Sequence, residues 1–285
     1  MNQLSGKVPE TPRTRPVHCR VRDGARILLV EDNSINREVA LGLLKKLELN
    51  ADAVGNGAEA IESLALLPYD LVLMDMRMPV MDGLEATRQI RNPQSAVLDH
   101  TIPVIALSAN AMNSDREACL AAGVVDFVPK PVSIDDLRGA LERWLPFERG
   151  GTSDVPPTSL QPQPIDKKLV VFDRAGVFNR MMGDEELISD YLLSFLANFP
   201  DQLRTLKNYI KLMDASGCSL KAHSIKGAAA TLGAQMLQRA AAAIEAGADS
   251  GDFQQVDREM MELEEAFIDF TNALSGDDWL RADRG

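Results

Sequence analysis

The sequence lacks what several large functional classes require. Its three cysteines, Cys19, Cys119 and Cys218, are scattered and odd in number, which excludes a disulfide framework or a cysteine-rich zinc site and fits reduced thiols in a cytosol. Aromatic residues make up only 5% of the chain, so its cores are expected to rest on Leu, Val, Ile, Ala and Met. No apolar run approaches the ~18 residues of a membrane span. The N-terminus lacks the apolar segment of a signal peptide, so the chain is expected to be soluble, cytoplasmic and not inserted in a membrane. A net charge of -12, with no dense basic stretch beyond the N-terminal tail, argues against nucleic acid as a partner. Histidine occurs three times, at His18, His100 and His223.

What is present divides in two. Residues 1–24 hold prolines and arginines without apolar periodicity and read as a flexible tail. Over 25–146, short apolar runs alternate with amphipathic stretches. Ile27–Val30, Leu71–Met74 and Val104–Leu107 read as buried strands, with weaker strands at Ala51–Val54 and Phe127–Val128. Helical patterns lie at Asn36–Leu47, Ala58–Leu67, Leu84–Arg91, Ser114–Ala122 and Ile134–Trp144. Five alternations predict an α/β doubly wound, parallel five-stranded sheet of flavodoxin-like order 2-1-3-4-5. Residues 147–168 are rich in Pro and Gly and read as a linker. Residues 169–276 show only helical spacing and predict an all-α bundle, with a kink or break expected at Pro200. Helices are expected at Cys218–Leu232, Ala234–Ala246 and Phe253–Leu274, with Gly233 and Gly247 marking ends; residues 277–285 form a tail.

Ligands of open α/β sheets gather at the carboxyl ends of the strands. Glu31 and Asp32 end the first strand, Asp75 the third, Ser108 the fourth and Lys130 the fifth. A single acid there can be no more than a helix cap. The set as a whole predicts a strongly negative pocket whose natural complement is a hard divalent cation such as Mg²⁺. An aspartate in such a pocket can attack phosphorus, Lys130 can pair with a phosphoryl oxygen as a point charge, and Ser108 can donate a hydrogen bond.

Val30-Glu31-Asp32-Asn33, Met74-Asp75-Met76-Arg77-Met78-Pro79, Ala106-Leu107-Ser108-Ala109 and Val128-Pro129-Lys130-Pro131 resemble, in order, the motifs of two-component receiver domains. Asn33, Asn36 and Ala109-Asn110-Ala111-Met112 further resemble receivers of hybrid histidine kinases. The resemblance implies that Asp75 is the phosphoacceptor. Asp32 and the Arg77 backbone carbonyl would hold Mg²⁺, with Glu31 helping through water. Ser108 and Lys130 would contact the phosphoryl group, Phe127 would be the aromatic switch, and the Lys130–Pro131 bond would be cis. The acid pair departs from the usual Asp-Asp in being Glu-Asp.

For a lone helical histidine, a core or rim position is the ordinary expectation. Here Cys218, Ala222, Ile225, Ala229 and Leu232 form one apolar stripe, and His223 points roughly 140° from its centre, toward solvent. Lys226 lies at i+3, within reach of a phosphoryl group on the imidazole. Gly227 at i+4 weakens the helix by ~1 kcal/mol, which close approach of a partner surface would explain. Ala222-His223-Ser224-Ile225-Lys226-Gly227-Ala228 with Leu232-Gly233 resembles a histidine phosphotransfer (HPt) domain, and Phe172-Asp173 and Gly183-Asp184-Glu185-Glu186 fit its usual opening. By resemblance, His223 is the phosphorylated residue.

The leading expectation is a phosphorelay protein without kinase activity of its own. Asp75 accepts a phosphoryl group from an upstream histidine kinase, and His223 relays phosphate to or from an aspartate of a receiver. As part of a hybrid kinase, the chain would sit at the inner face of a membrane. The alternative is a signalling adaptor, with a receiver that switches through the face made by its fourth helix, fifth strand and fifth helix, by way of Ser108 and Phe127, and a bundle that only docks partners. An autonomous kinase is disfavoured, because the sequence has no glycine-rich nucleotide lid and Gly55-Asn56-Gly57 reads as a turn before a helix.

Overall fold

The computed structural model describes residues 20–21, 24–108, 113–145, 147–148 and 170–275. The expected C-terminal tail, most of the tail and linker, and the Ala109–Met112 motif lie outside the described residues. Five parallel strands, β1 (Arg26–Val30), β2 (Asn50–Val54), β3 (Leu71–Asp75), β4 (Val104–Ser108) and β5 (Asp126–Pro129), pair in the spatial order β2-β1-β3-β4-β5. Helices α1 (Ser34–Lys46), α2 (Gly57–Leu66), α3 (Gly83–Arg91), α4 (Asn113–Ala122) and α5 (Ile134–Trp144) alternate with them.

Side chains alternate across a strand, and the central strands use both faces. Ile27 and Leu29 join the core beneath α1 and α5, whereas Leu28 and Val30 join a second core with residues of α2, α3 and α4. This double burial explains why β1 and β3 read as unbroken apolar runs. Pro129 is confined to edge strand β5, where a missing donor is tolerated. The Lys130–Pro131 bond is cis, as expected. Arg20–Val21, assigned to the tail, pairs antiparallel with Phe147–Glu148, assigned to the linker. These short segments bring the two chain ends of the α/β unit together by backbone pairing, which apolar periodicity does not register.

The helical unit comprises α6 (Arg174–Arg180), α7 (Glu185–Lys211), α8 (Ala215–Thr231), α9 (Gln235–Ser250) and α10 (Phe253–Ser275). Asp173, Asp184 and Asp214 cap α6, α7 and α8 by accepting from the third amide of each helix. Helix α7 runs on through Pro200, so the chain does not break there. A proline inside a helix costs about 3 kcal/mol. Phe195 and Phe199 on its N-terminal side are fully buried, and the Phe199 ring stacks on Phe267 at 4.2 Å between centroids. Burial of rings of this size contributes roughly 1.5–3 kcal/mol each, enough to hold the helix through the defect. The few aromatics thus concentrate in this core, whereas the α/β core rests on aliphatic residues as expected.

Gly233, with φ 69°, follows α8 as expected. Gly247 does not end α9, which continues to Ser250 and is closed by Gly251 at φ 73°. At Gly247 a Cβ would meet Val256 Cγ2 at 3.0 Å, so this glycine serves helix packing rather than termination. Among the described residues, no helix is long and apolar enough to cross a membrane.

Candidate functional site

The strand ends deliver the expected set to one place. Lys130 Nζ lies 2.6 Å from Glu31 Oε2 and 2.8 Å from Asp75 Oδ2, and all three side chains are nearly inaccessible. Glu31, Asp32 and Asp75 offer carboxylate oxygens within 4.8 Å of one another. Three carboxylates therefore face one ammonium. Burial pushes the Glu31 carboxyl up to about 7; Lys130 pulls it down, while Asp75 and Asp32 push it up. Asp32 is also raised, by burial first and by Asp75 second. Burial works against the Lys130 ammonium, but Asp75 and Glu31 outweigh it and hold Lys130 above its ordinary range. Apart from the lysine, the buried Asp75 Oδ2 has no hydrogen-bond donor among the described residues. Hard oxygen donors carrying uncompensated charge fit a divalent cation.

The helical unit docks on this edge through α1. Asn33, whose Oδ1 caps α1, donates through Nδ2 to Ser224 Oγ at 2.9 Å and to the Ser224 carbonyl at 3.2 Å. Thr231 Oγ1 donates to Asn36 Oδ1 at 3.0 Å. Further along α1, the Tyr191 hydroxyl donates to the Glu38 carbonyl at 2.8 Å, and Lys46 pairs with Asp184 at 2.8 Å. Two glycines permit the approach. A Cβ on Gly227 would stand 2.9 Å from Asn36 Nδ2, and one on Gly42 would stand 2.7 Å from the Tyr191 hydroxyl. Gly227 was expected to admit a partner surface; that surface is α1 of the same chain.

Docking corrects one expectation. His223 does turn away from the bundle core, but it does not face solvent: its side chain is only 11% exposed. It shares the wall of a cavity of about 270 Å³ with Asp75, Ser108, Phe127, Lys226 and Glu245. The cavity lies at the junction, so it joins the two residues expected to carry phosphoryl groups. Phe127 is half-buried, with the Arg116 guanidinium 4.2 Å from its ring centroid.

Glu245 is the functional group that sequence reasoning missed. It lies on α9 and is buried. Its Oε1 is 2.7 Å from His223 Nδ1, and its Oε2 accepts from Lys226 Nζ. Burial raises its pKa, but His223 and Lys226 outweigh this and bring it down to about 2. An ionised carboxylate only accepts hydrogen bonds, so Nδ1 must carry the proton. In the neutral ring, Nε2 then holds the lone pair. Lys226, expected at a phosphoryl oxygen, lies on the cavity wall paired with this carboxylate. A signal for Glu245 existed in the run Ala240–Ala248, where one acid interrupts small and apolar residues. Burying such a charge requires a partner.

An α/β unit with an acidic phosphate-type pocket, set against a histidine on a helical bundle, defines a receiver paired with a phosphotransfer domain. Residues 27–142 match the family described as "Response regulator receiver domain" and residues 190–273 the "Hpt domain", so each unit of the chain matches one of the two families. The chain is 28% identical over 234 residues to the sensor histidine kinase GacS of Pseudomonas protegens, a match covering 81% of this chain and 25% of that protein. It is 36% identical over 150 residues to probable histidine kinase 1 of Oryza sativa subsp. indica, covering 43% and 16%. It thus spans a quarter or less of the length of these relatives. A solved receiver domain of a Pseudomonas aeruginosa sensor histidine kinase, with magnesium coordinated in its active-site cleft, is 43% identical and covers 42% of this chain and 97% of its own, with a TM-score of 0.39.

The junction is testable at Gly42. Replacing it with Ala gains helix propensity of roughly 1 kcal/mol but removes the seat of Tyr191. Gly42→Ala is expected to raise the radius of gyration of the full chain in small-angle X-ray scattering; an unchanged radius would contradict this docking.

Proposed function

We propose that the chain is a two-station phosphoryl carrier: a receiver spanning 25–146 and an HPt domain spanning 169–276, with 147–168 as linker. The observation that carries this reading is the cavity lined jointly by Asp75 and His223. An Asp75 oxygen attacks the phosphorus of a donor, either a phosphohistidine of an upstream kinase or a small acyl phosphate, and the donor group leaves. The His223 Nε2 lone pair then attacks that phosphorus, the Asp75 acyl phosphate bond breaks, and Asp75 recovers its carboxylate. The Nδ1 proton stays on the ring, opposite Glu245. Transfer in the other direction uses the same atoms in reverse.

Asp32, Asp75 and the Arg77 carbonyl would hold Mg²⁺, with Glu31 reaching it through water. When bound, the cation supplies neutralisation of the charge on the transferring group. Lys130 supplies a second positive charge, Ser108 a hydrogen bond, and Phe127 the switch that reports the loaded state. An upstream histidine kinase supplies the phosphoryl group and a second receiver exchanges it with His223, in the cytoplasm. The adaptor reading gains nothing from the geometry: a bundle that only docks does not require a buried imidazole with one tautomer fixed.

Two outcomes are expected. With acetyl phosphate and Mg²⁺ the wild-type chain acquires first a base-labile label and then a base-stable, acid-labile one; Asp75→Asn loses both, and His223→Gln loses only the second. A base-stable label on His223→Gln would refute the assignment, as would labelling from ATP alone. Cation binding is also linked to protons. The Glu31 carboxyl, raised to about 7, is largely protonated at pH 6 and must ionise to complete the site. Mg²⁺ affinity by calorimetry is therefore expected to fall about tenfold from pH 8 to pH 6, with proton release on binding. Glu31→Gln flattens this dependence, and equal affinity at both pH values in the wild type would contradict it.

A further inference from the structure

Arg77 lies two residues after Asp75, in the turn from β3 to α3. The role expected for it uses only its backbone. Its side chain crosses the junction to α9, where Nη1 is 2.8 Å from Glu245 Oε1 and 3.6 Å from Asp249 Oδ2. That Oε1 is the same oxygen that His223 Nδ1 contacts at 2.7 Å. One carboxylate thus serves two cationic or donor groups of the bundle and one guanidinium of the receiver.

The terminal torsion of a glutamate is broad. Within the bundle alone, His223 holds one oxygen and Lys226 the other, and the carboxylate plane can swing about this pair. A third donor on Oε1, anchored in the receiver, removes that freedom. We infer that Arg77 is a positioning residue for His223: on docking, it locks the Glu245 carboxylate to which the imidazole donates, and so aims Nε2 into the cavity shared with Asp75. This inference rests on the two-station reading. It also adds a selection rule that reading lacks. A receiver engages this HPt face productively when it carries a guanidinium two residues after its phosphoacceptor, in the same turn that closes the acidic pocket.

Chemistry gives the pairing its consequence. Nucleophilic transfer depends steeply on alignment, and misplacement by about 1 Å can slow a reaction about a hundredfold. The Arg77 side chain is 44% exposed, and ion pairs this accessible contribute little to folding, so its replacement leaves a folded chain. Replacing the side chain also leaves the backbone carbonyl in place.

The test uses the full chain loaded at Asp75 with acetyl phosphate and Mg²⁺, with single-turnover transfer to His223 normalised to the loaded fraction. The imidazole ¹⁵N and ¹H signals of unloaded protein provide a second readout. Arg77→Ala is expected to slow transfer about tenfold and to broaden or split the His223 ring signals as the Nδ1–H tautomer loses its fixed acceptor. Arg77→Lys keeps a point charge but not the fork and restores most of both. In a Glu245→Ala background, Arg77→Ala has no further effect on either. The inference is overturned if Arg77→Ala leaves the ring signals and the transfer rate unchanged, or if it slows transfer by the same factor with and without Glu245. A wild-type chain that loads Asp75 but never labels His223 overturns the two-station reading itself. Wild-type transfer that Arg77→Ala does not alter overturns the role of Arg77 alone.

Discussion

Lys130 is buried against Glu31 and Asp75, with Asp32 beside them, and this imbalance of one ammonium against three carboxylates governs the α/β unit. Removing ions from water costs several kcal/mol each, and removing one partner of a buried pair costs about 3–5 kcal/mol. Such a cluster is a poor means of stabilising a fold. It makes sense as a site that receives a cation and a phosphoryl group. The parallel sheet supplies the means: strand order places β1, β3, β4 and β5 so that their carboxyl ends converge, while two separate apolar cores fix the strands from both faces.

Docking extends this logic to the helical unit. Asn33 caps α1 and also reaches Ser224, so the local geometry that aims Glu31 and Asp32 is the same geometry that seats α8. Glu245 acts on the histidine as Lys130 acts on the aspartate: each is a buried charge that orients a reacting group. Arg77 joins the two sites, since its backbone amide donates to Asp75 Oδ1 and its side chain pairs with Glu245. The apolar cluster that continues from Ile35 and Val39 of α1 into Ile188 and Leu192 of α7 makes the junction more than an ionic contact.

Residues whose role depends on one element were legible in the sequence. Strand ends carry Asp75, Ser108 and Lys130 by local pattern alone, the helices α1 to α5 follow from periodicity to within two residues, and the phase of His223 follows from its own helix. What was not legible depends on packing between elements. The solvent-facing assignment of His223 failed because the strand ends of the α/β unit and Glu245 of α9 close around it. The passage of α7 through Pro200 depends on rings from α10, and the continuation past Gly247 depends on Val256. Glu245 lies 22 residues from His223 in sequence and meets it only across two helices. Asn33 and Asn36 carried a family resemblance without a physical role until the bundle was in place.

The central claim is that Asp75 and His223 of one chain face a common cavity and exchange a phosphoryl group there. Its most direct test is the order of that reaction. With Asp75 loaded and excess donor removed, the first-order rate constant for appearance of label on His223 is predicted to be unchanged when the protein is diluted about a hundredfold, as expected for tethered partners at high effective concentration. A rate constant that falls in proportion to protein concentration would contradict the docked arrangement and assign the transfer to an encounter between chains.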